Sequence, residues 1–282
     1  MARQVKRRRR TRAEVEAILQ VAYEELKAGH PMTLRQVHYR LVGRGDTTYE
    51  NTRGDYNQLS KWLVRHRLEG VISWEWIEDR LRVPRRVQMW AGLPDFIDAV
   101  RRSYRKDVWE DQPDYLEVWL EKDALSGIFE SVVDPYGVTL NVGRGFDSAT
   151  SIKGAADRFE TRDGAQVLYF GDFDPSGEDM VRSLRERLLE HGSEPEIVKC
   201  ALNFEDIERY DLPPDFTKTT DTRRAAFVAR YGDVAVELDA LPINALRERI
   251  DVEVRNRLDL EILERTKAQE QSDKQRLDEL LG

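Results

Sequence analysis

The sequence predicts a two-part chain of mixed class, an α+β module followed by an α/β module built on a largely parallel sheet. Three observations lead there. Charge is divided unevenly: residues 1–106 carry 23 Lys and Arg against 13 Asp and Glu, whereas residues 107–282 carry 22 against 40. The front part has apolar residues at helical spacing, while the back part alternates short apolar runs with amphipathic stretches, the rhythm of βαβ units. Acidic residues also stand directly behind two of those apolar runs, where a parallel sheet gathers its ligands.

In the front part, Val15, Ile18, Val21, Ala22 and Leu26 space a first helix over Arg12 to Ala28, ended by "GHPM". "TLRQVHYRLV" opens a second, because Thr33 followed three residues later by Gln36 is a capping-box signature. "GRGDTTYENTRGD" reads as a polar loop, and Tyr56 to Leu68 as a third helix with Leu59, Trp62 and Leu63 on one side. "VISWEWIEDR" alternates apolar and polar residues and predicts a short β element. Three helices and a β element, basic throughout, predict a winged helix-turn-helix. Leu93 to Trp109 predicts a connecting helix with Pro94 in its first turn, and "EDQPD" marks a boundary, giving modules over residues 1–110 and 111–282.

The back part predicts strands at "YLEVWLEK", "GVTLNV", "QVLYFGD" and "EPEIVKCAL". Between them lie helices at "DALSGIFESVV", "SATSIKGAADRF" and "SGEDMVRSLRERLLEHG". Strands separated by helices require crossovers and a parallel sheet. Residues 239–281 close the chain as one or two charged helices.

Composition narrows the function. A single cysteine, Cys200, excludes an intrachain disulfide and a multi-cysteine zinc site. The four histidines show no metal-ligand spacing. No apolar run approaches the roughly 20 residues that span a bilayer. The tail "MARQVKRRRRTR" lacks the apolar segment of a secretory signal. The chain therefore reads as soluble and cytoplasmic. Basic side chains continue past the tail at Arg35, Arg40, Arg44, Arg53, Lys61, Arg65, Arg67, Arg85 and Arg86, which points to a polyanion such as double-stranded DNA as partner.

The acidic residues point to a hard cation. Asp172 and Asp174 follow the strand in "QVLYFGDFDPSGEDM", two apart and so expected to point the same way. Asp174 is placed to cap the next helix, with Pro175 at its first position. Capping leaves Asp172 beside another carboxylate with nothing to relieve the repulsion, and Mg2+ would do so. Glu121 ends the first strand of the same sheet in an equivalent place. In "NVGRGFDSAT", glycine-flanked Arg144 stands between strand and helix, suited to phosphate. A glutamate at one strand end and D-x-D at another resemble a Toprim domain.

A basic winged helix carrying "LRQVHYRLV", followed by a Toprim-like module, resembles the A subunit of topoisomerase VI. That family includes the meiotic double-strand-break transesterase and stand-alone "mini-A" proteins of prokaryotes and their viruses. The resemblance covers roughly Thr33 to Leu184, through Arg35 and Tyr39, "EKDA" at Glu121, "GRGF" at Gly143 to Phe146, and "DFDPSG" at Asp172 to Gly177. It implies that Tyr39 is the nucleophile, assisted by Arg35, and that Glu121, Asp172 and Asp174 hold Mg2+, with Glu121 also catalytic. It implies cleavage and rejoining of DNA through a 5′-phosphotyrosyl link, in a homodimer where each tyrosine works with the partner's acids. Arg40, Arg44, Lys61, Arg65 and Arg144 are then the expected DNA contacts. Strand passage in that family needs an ATPase partner chain, and these 282 residues hold no ATPase module, so cleavage with rejoining is expected and full topoisomerase turnover is not.

The chemistry fits the spacing. Residues four apart share a helix face, so Arg35 lies beside Tyr39 and its charge favours phenolate. A free phenol is ionised about one part in a thousand at pH 7, a deficit of roughly 4 kcal/mol. Tyr49 and Tyr56 compete for the role, and His38 is either a proton acceptor or a packed ring. Two other functions remain open from sequence: a Toprim nuclease using metal-activated water, and a non-catalytic winged-helix DNA binder.

Overall fold

The computed structural model describes residues 10–78, 87–143, 148–162, 164–214 and 221–281. Its described residues form eleven α-helices and one four-stranded, all-parallel sheet. Arg85, Arg86 and Arg144 lie outside them.

Threonine opens each of the first three helices. Thr11 forms a capping box with Glu14 at the start of α1 (Arg12–Gly29), and Thr33 forms the expected one with Gln36 at α2 (Leu34–Arg44). Thr52 accepts from the Asp55 backbone N–H at α3 (Arg53–Leu68), so this helix starts three residues before Tyr56, inside what reads as loop. Ile18, Ala22 and Leu26 of α1 bury with Val37 and Leu41 of α2 and Leu59 and Leu63 of α3. Buried Asp55 takes both Arg10 guanidinium nitrogens, at 2.9 and 2.5 Å, and so ties the entry of α1 to α3.

The expected β element after α3 is not a strand. Residues 71–78 give a short helical turn, Trp74–Trp76, and one parallel bridge between Met32 and Ile77. The alternation reflects ring partners on the helical side of the module: Trp76 stacks on His30 with centroids 5.1 Å apart, and Trp74 lies 4.3 Å from the Arg67 guanidinium carbon. The connecting helix α4 is Leu93–Ser103, shorter than expected. Beyond its end Val108 and Trp109 are buried, and Trp109 Nε1 donates to the Gly137 carbonyl at 2.7 Å.

Strands β1 (Tyr115–Leu120), β2 (Thr139–Val142), β3 (Ala165–Phe170) and β4 (Glu196–Ala201) pair in the order β2-β1-β3-β4. Every residue of β1 is buried, as a central parallel strand covered on both faces requires. The crossover from β1 to β2 runs one way along the sheet and those to β3 and β4 run the other. Right-handed crossovers then put α5 (Ser126–Val133) on one face and α6 (Ala149–Glu160) with α7 (Pro175–Leu189) on the opposite face. The contacts agree: α10 (Ile243–Arg255) packs on α5, and α6 packs on α7. Two short helices, α8 (Phe204–Arg209) and α9 (Arg224–Tyr231), lie in a region with no clear sequence pattern, and α11 (Leu260–Leu281) closes the chain against α4. Cys200 is buried on β4, and burial pushes its thiol up to about 12. No described helix is long and apolar enough to cross a membrane.

One buried charge anchors α6 to the sheet. Glu117, in the middle of β1, has no solvent exposure. Its carboxylate accepts from Arg158 Nε and Nη2 of α6 at 2.6 and 3.0 Å, and from Trp119 Nε1 at 2.8 Å and Tyr115 OH at 3.1 Å. Removing the cation strands a buried anion, a change that costs about 3–5 kcal/mol. Arg158→Met is therefore expected to lower the thermal midpoint by about 10 °C, read by circular dichroism. A midpoint unchanged by the substitution would show that the two neighbouring rings alone hold the charge.

Candidate functional site

The sheet's order reverses between β1 and β3, the place where an open parallel sheet gathers ligands at the carboxyl ends of its strands. Glu121 follows β1 and Asp172 follows β3. Glu121 Oε2 accepts from the Asp172 backbone N–H at 3.1 Å and from Tyr169 OH at 3.0 Å, so the two acids adjoin. A Cβ at Gly171 would push aside the Glu121 carboxylate and the Tyr169 hydroxyl. Gly177 must stay bare, since its Cβ would collide with the Asp172 carbonyl oxygen.

Asp172 and Asp174 flank Phe173, which bridges Val236 beyond the end of the strand, and the two carboxylates have different partners. Asp174 caps α7, Oδ1 accepting from the Gly177 N–H at 2.7 Å, with Pro175 opening the helix as expected. Asp172 Oδ1 accepts from the Leu238 N–H at 2.7 Å and lies 3.0 Å from Lys122 Nζ. Burial pushes the Asp172 carboxyl up to about 7, with Glu121 adding to the rise and Lys122 opposing it.

Lys122 supplies the positive charge whose lack argued for a cation at Asp172. Its ammonium sits among three carboxylates: Asp239 at 2.7 Å, Glu237 at 2.8 Å and Asp172 at 3.0 Å. Burial disfavours the charged form, yet these acids together hold the pKa of Lys122 above its ordinary value. Neither Lys122 nor the two acids of "AVELDA" emerge from the sequence reading. A usable signal existed: Lys122 directly follows Glu121 at the strand mouth, and Glu237 and Asp239 repeat the two-apart acidic spacing of Asp172 and Asp174.

Glu237 joins this cluster to α2. It accepts from Lys122 and forms a close ion pair with Arg35, while the turn Leu238–Ala240 packs on α2. Arg35 lies beside Tyr39 as its spacing predicts, the guanidinium carbon 5.8 Å from the ring centroid. Tyr39 is only 6% exposed and opens onto a cavity of about 210 Å3 that Arg35, His38, Asn51, Arg53, Tyr56 and Glu237 help to line. A second cavity of about 470 Å3 shares Arg35 and Tyr56 and reaches Ala124 of the sheet module. The two cavities together thus extend from α2 and α3 to the turn that follows β1.

Resting electrostatics do not favour the phenolate. Burial first, then Glu237, push the Tyr39 phenol up to about 12, against the opposing pull of Arg35. The expected help from the guanidinium is present and outweighed. His38 is a packed ring: Nδ1 lies 2.6 Å from Tyr49 OH and Nε2 3.1 Å from Asn51 Oδ1, with Tyr39, Tyr49 and Tyr56 edge-on around it. Burial lowers its pKa. Tyr49 is spent on that bond and its phenol is raised further, while Tyr56 shares the cavity with Tyr39.

Of the expected DNA contacts, Arg40 pairs with Glu25 at 3.2 Å, and Arg44 with Asp46 at 3.0 Å and Glu24 at 3.4 Å. Arg65 pairs with Glu69 on exposed helix surface, and Lys61 is exposed.

Among the described residues no group of three His, Cys, Asp or Glu side chains is gathered as a metal site. The donor chemistry nonetheless suits Mg2+, which takes carboxylate oxygens, and the adjoining pair Glu121 and Asp172 provides it. Searched against protein-family models and curated proteins, the sequence has no match.

Proposed function

We propose that the chain is a magnesium-dependent DNA transesterase with Tyr39 as nucleophile, of the kind its likeness to the topoisomerase VI A subunit implies. The observation that carries this reading is the continuous charge network from the phenol to the strand-end acid: Tyr39 beside Arg35, then Glu237, Lys122 and Asp172. Positively charged α2 and α3 bring the nucleophile, and the sheet brings the acids. Arg40, Arg44, Lys61, Arg65 and Arg144 would follow the DNA backbone.

In the reaction, the Tyr39 oxygen forms a bond to phosphorus as the bond from phosphorus to the 3′ oxygen breaks. The phenol loses its proton to solvent, and the departing 3′ oxygen takes one up. One phosphodiester replaces another, so the reverse step reseals the strand. Arg35 is placed to hold the phosphate against the phenol and to offset the charge that develops there. Magnesium, when bound by Glu121 and Asp172 with Asp174, would supply further positive charge to phosphate oxygens. A homodimer fits cleavage of both strands, and an ATPase partner chain belongs to the same reading.

A second reading is hydrolysis by metal-activated water at the acid pair. The raised phenol of Tyr39 favours it, because such a group is a poor nucleophile in the resting chain. The two readings part on one experiment: supercoiled plasmid with Mg2+, quenched in detergent, with and without protease. Nicked or linear DNA that enters the gel only after protease treatment is expected. Cut DNA migrating normally without protease would favour hydrolysis instead.

A further inference from the structure

Glu237 lies outside every motif that led to Tyr39 and the acids, yet it holds the centre of the groove. One carboxylate oxygen pairs with Arg35, and the other accepts from Lys122 Nζ at 2.8 Å. It lines the cavity onto which Tyr39 opens. A carboxylate bridging a guanidinium and an ammonium has the charge of a phosphodiester and presents two oxygens much as its non-bridging pair does.

We propose that Arg35 and Lys122 form a subsite for a DNA backbone phosphate beside Tyr39, and that Glu237 occupies it in the resting chain until DNA displaces it. This rests on the transesterase reading above and adds Lys122 as a phosphate-binding residue and Glu237 as the built-in competitor. Charge balance permits the exchange. Glu237 and a phosphodiester each carry one negative charge, so replacing one by the other leaves the total unchanged. Lys122 meanwhile keeps Asp239 at 2.7 Å and Asp172 at 3.0 Å, so its buried ammonium is never left without an anion.

The backbone permits it as well. Glu237 sits between a single antiparallel bridge, Phe173 with Val236, and the turn Leu238–Ala240. Its side chain is 26% exposed and that of Arg35 is 48% exposed, so the pair faces water, whereas Asp239 behind it is fully buried. Glu237 can therefore swing out while the buried anchor of the turn remains on Lys122.

The test is equilibrium binding of a fluorescently labelled DNA duplex to the full chain, without magnesium so that no cleavage intervenes. Glu237→Gln is expected to bind about 5- to 10-fold tighter than wild type, with log K falling more steeply against log salt by about one unit. Arg35→Gln combined with Glu237→Gln is expected to lose most of that gain, which general removal of a surface negative charge would not do. Equal or weaker binding by Glu237→Gln overturns the proposal, and so does the same gain with Arg35 absent. Glu237→Ala, read alongside, gives the answer should the amide unsettle the turn. No duplex binding by the wild-type chain would sink the DNA reading itself, and the subsite with it.

Discussion

Tyr39→Phe is expected to abolish protein-linked DNA and to slow cleavage by at least about 10³-fold, because it removes the attacking atom. The fold should survive. The ring stays packed against His38 at 5.0 Å and under Arg35, and only a hydroxyl is lost. Duplex affinity should stay near wild type, which separates loss of chemistry from loss of binding. A variant that cuts at full rate would assign cleavage to water. The same phenol sets a pH dependence. With its pKa raised to about 12 by burial and Glu237, the ionised fraction grows with pH through the whole neutral range. Where chemistry limits the rate, wild-type cleavage should rise about tenfold per pH unit from 7 to 9. A flat profile would show that the phenol gives up its proton only after the groove has been rearranged by DNA.

Asp172→Asn is expected to act with opposite signs on activity and on stability. Cleavage should fall by about 10²-fold or more, since the acid at the sheet's reversal point is lost. The metal-free chain, however, should become more stable at pH 8. The Asp172 carboxyl titrates near 7 in the fold, against an ordinary value near 4 for the unfolded chain. Between those values the folded chain binds more protons than the unfolded one, so stability falls as pH rises and stays reduced above 7. Three units set an upper limit of about 4 kcal/mol. The pull of Lys122 is already contained in that rise, so the gain is at most this figure and is read as several degrees in thermal midpoint. The two proteins should converge near pH 4, where Asp172 is protonated in the fold and the difference vanishes. Mg2+ should raise the midpoint of wild type and not of the variant. If Asp172→Asn melts lower at pH 8, the acid serves chiefly to hold Lys122.

Local signals in the sequence were legible where the physics is local. The capping box of Thr33 with Gln36, the cap at Asp174 with Pro175, and all four strands follow from spacing within a few residues. Placement of Glu121 and Asp172 at strand ends follows from the βαβ rhythm, whereas the adjacency of those two strands depends on sheet order, which the rhythm leaves open. What escaped depends on contacts across the chain. "VISWEWIEDR" has the period of a strand, but His30 and Arg67 supply the partners for its two tryptophans. The helix α4 stops at Ser103, before Val108 and Trp109, whose burial rests on contacts such as Trp109 with Gly137, 28 positions on. The network through Glu237 joins residues 115 and 202 positions apart, beyond any window of pattern reading. Asp172 does have a positive neighbour within the chain, Lys122, one residue past Glu121.

The burial of Cys200 has a practical consequence. It is the sole thiol in the chain, and with a value near 12 it carries almost no thiolate at neutral pH. Maleimide reagents should leave the native protein untouched. A cysteine introduced at exposed Lys61 would then be the one labelled position, and an environment-sensitive dye there could report duplex binding without first removing the natural sulfur.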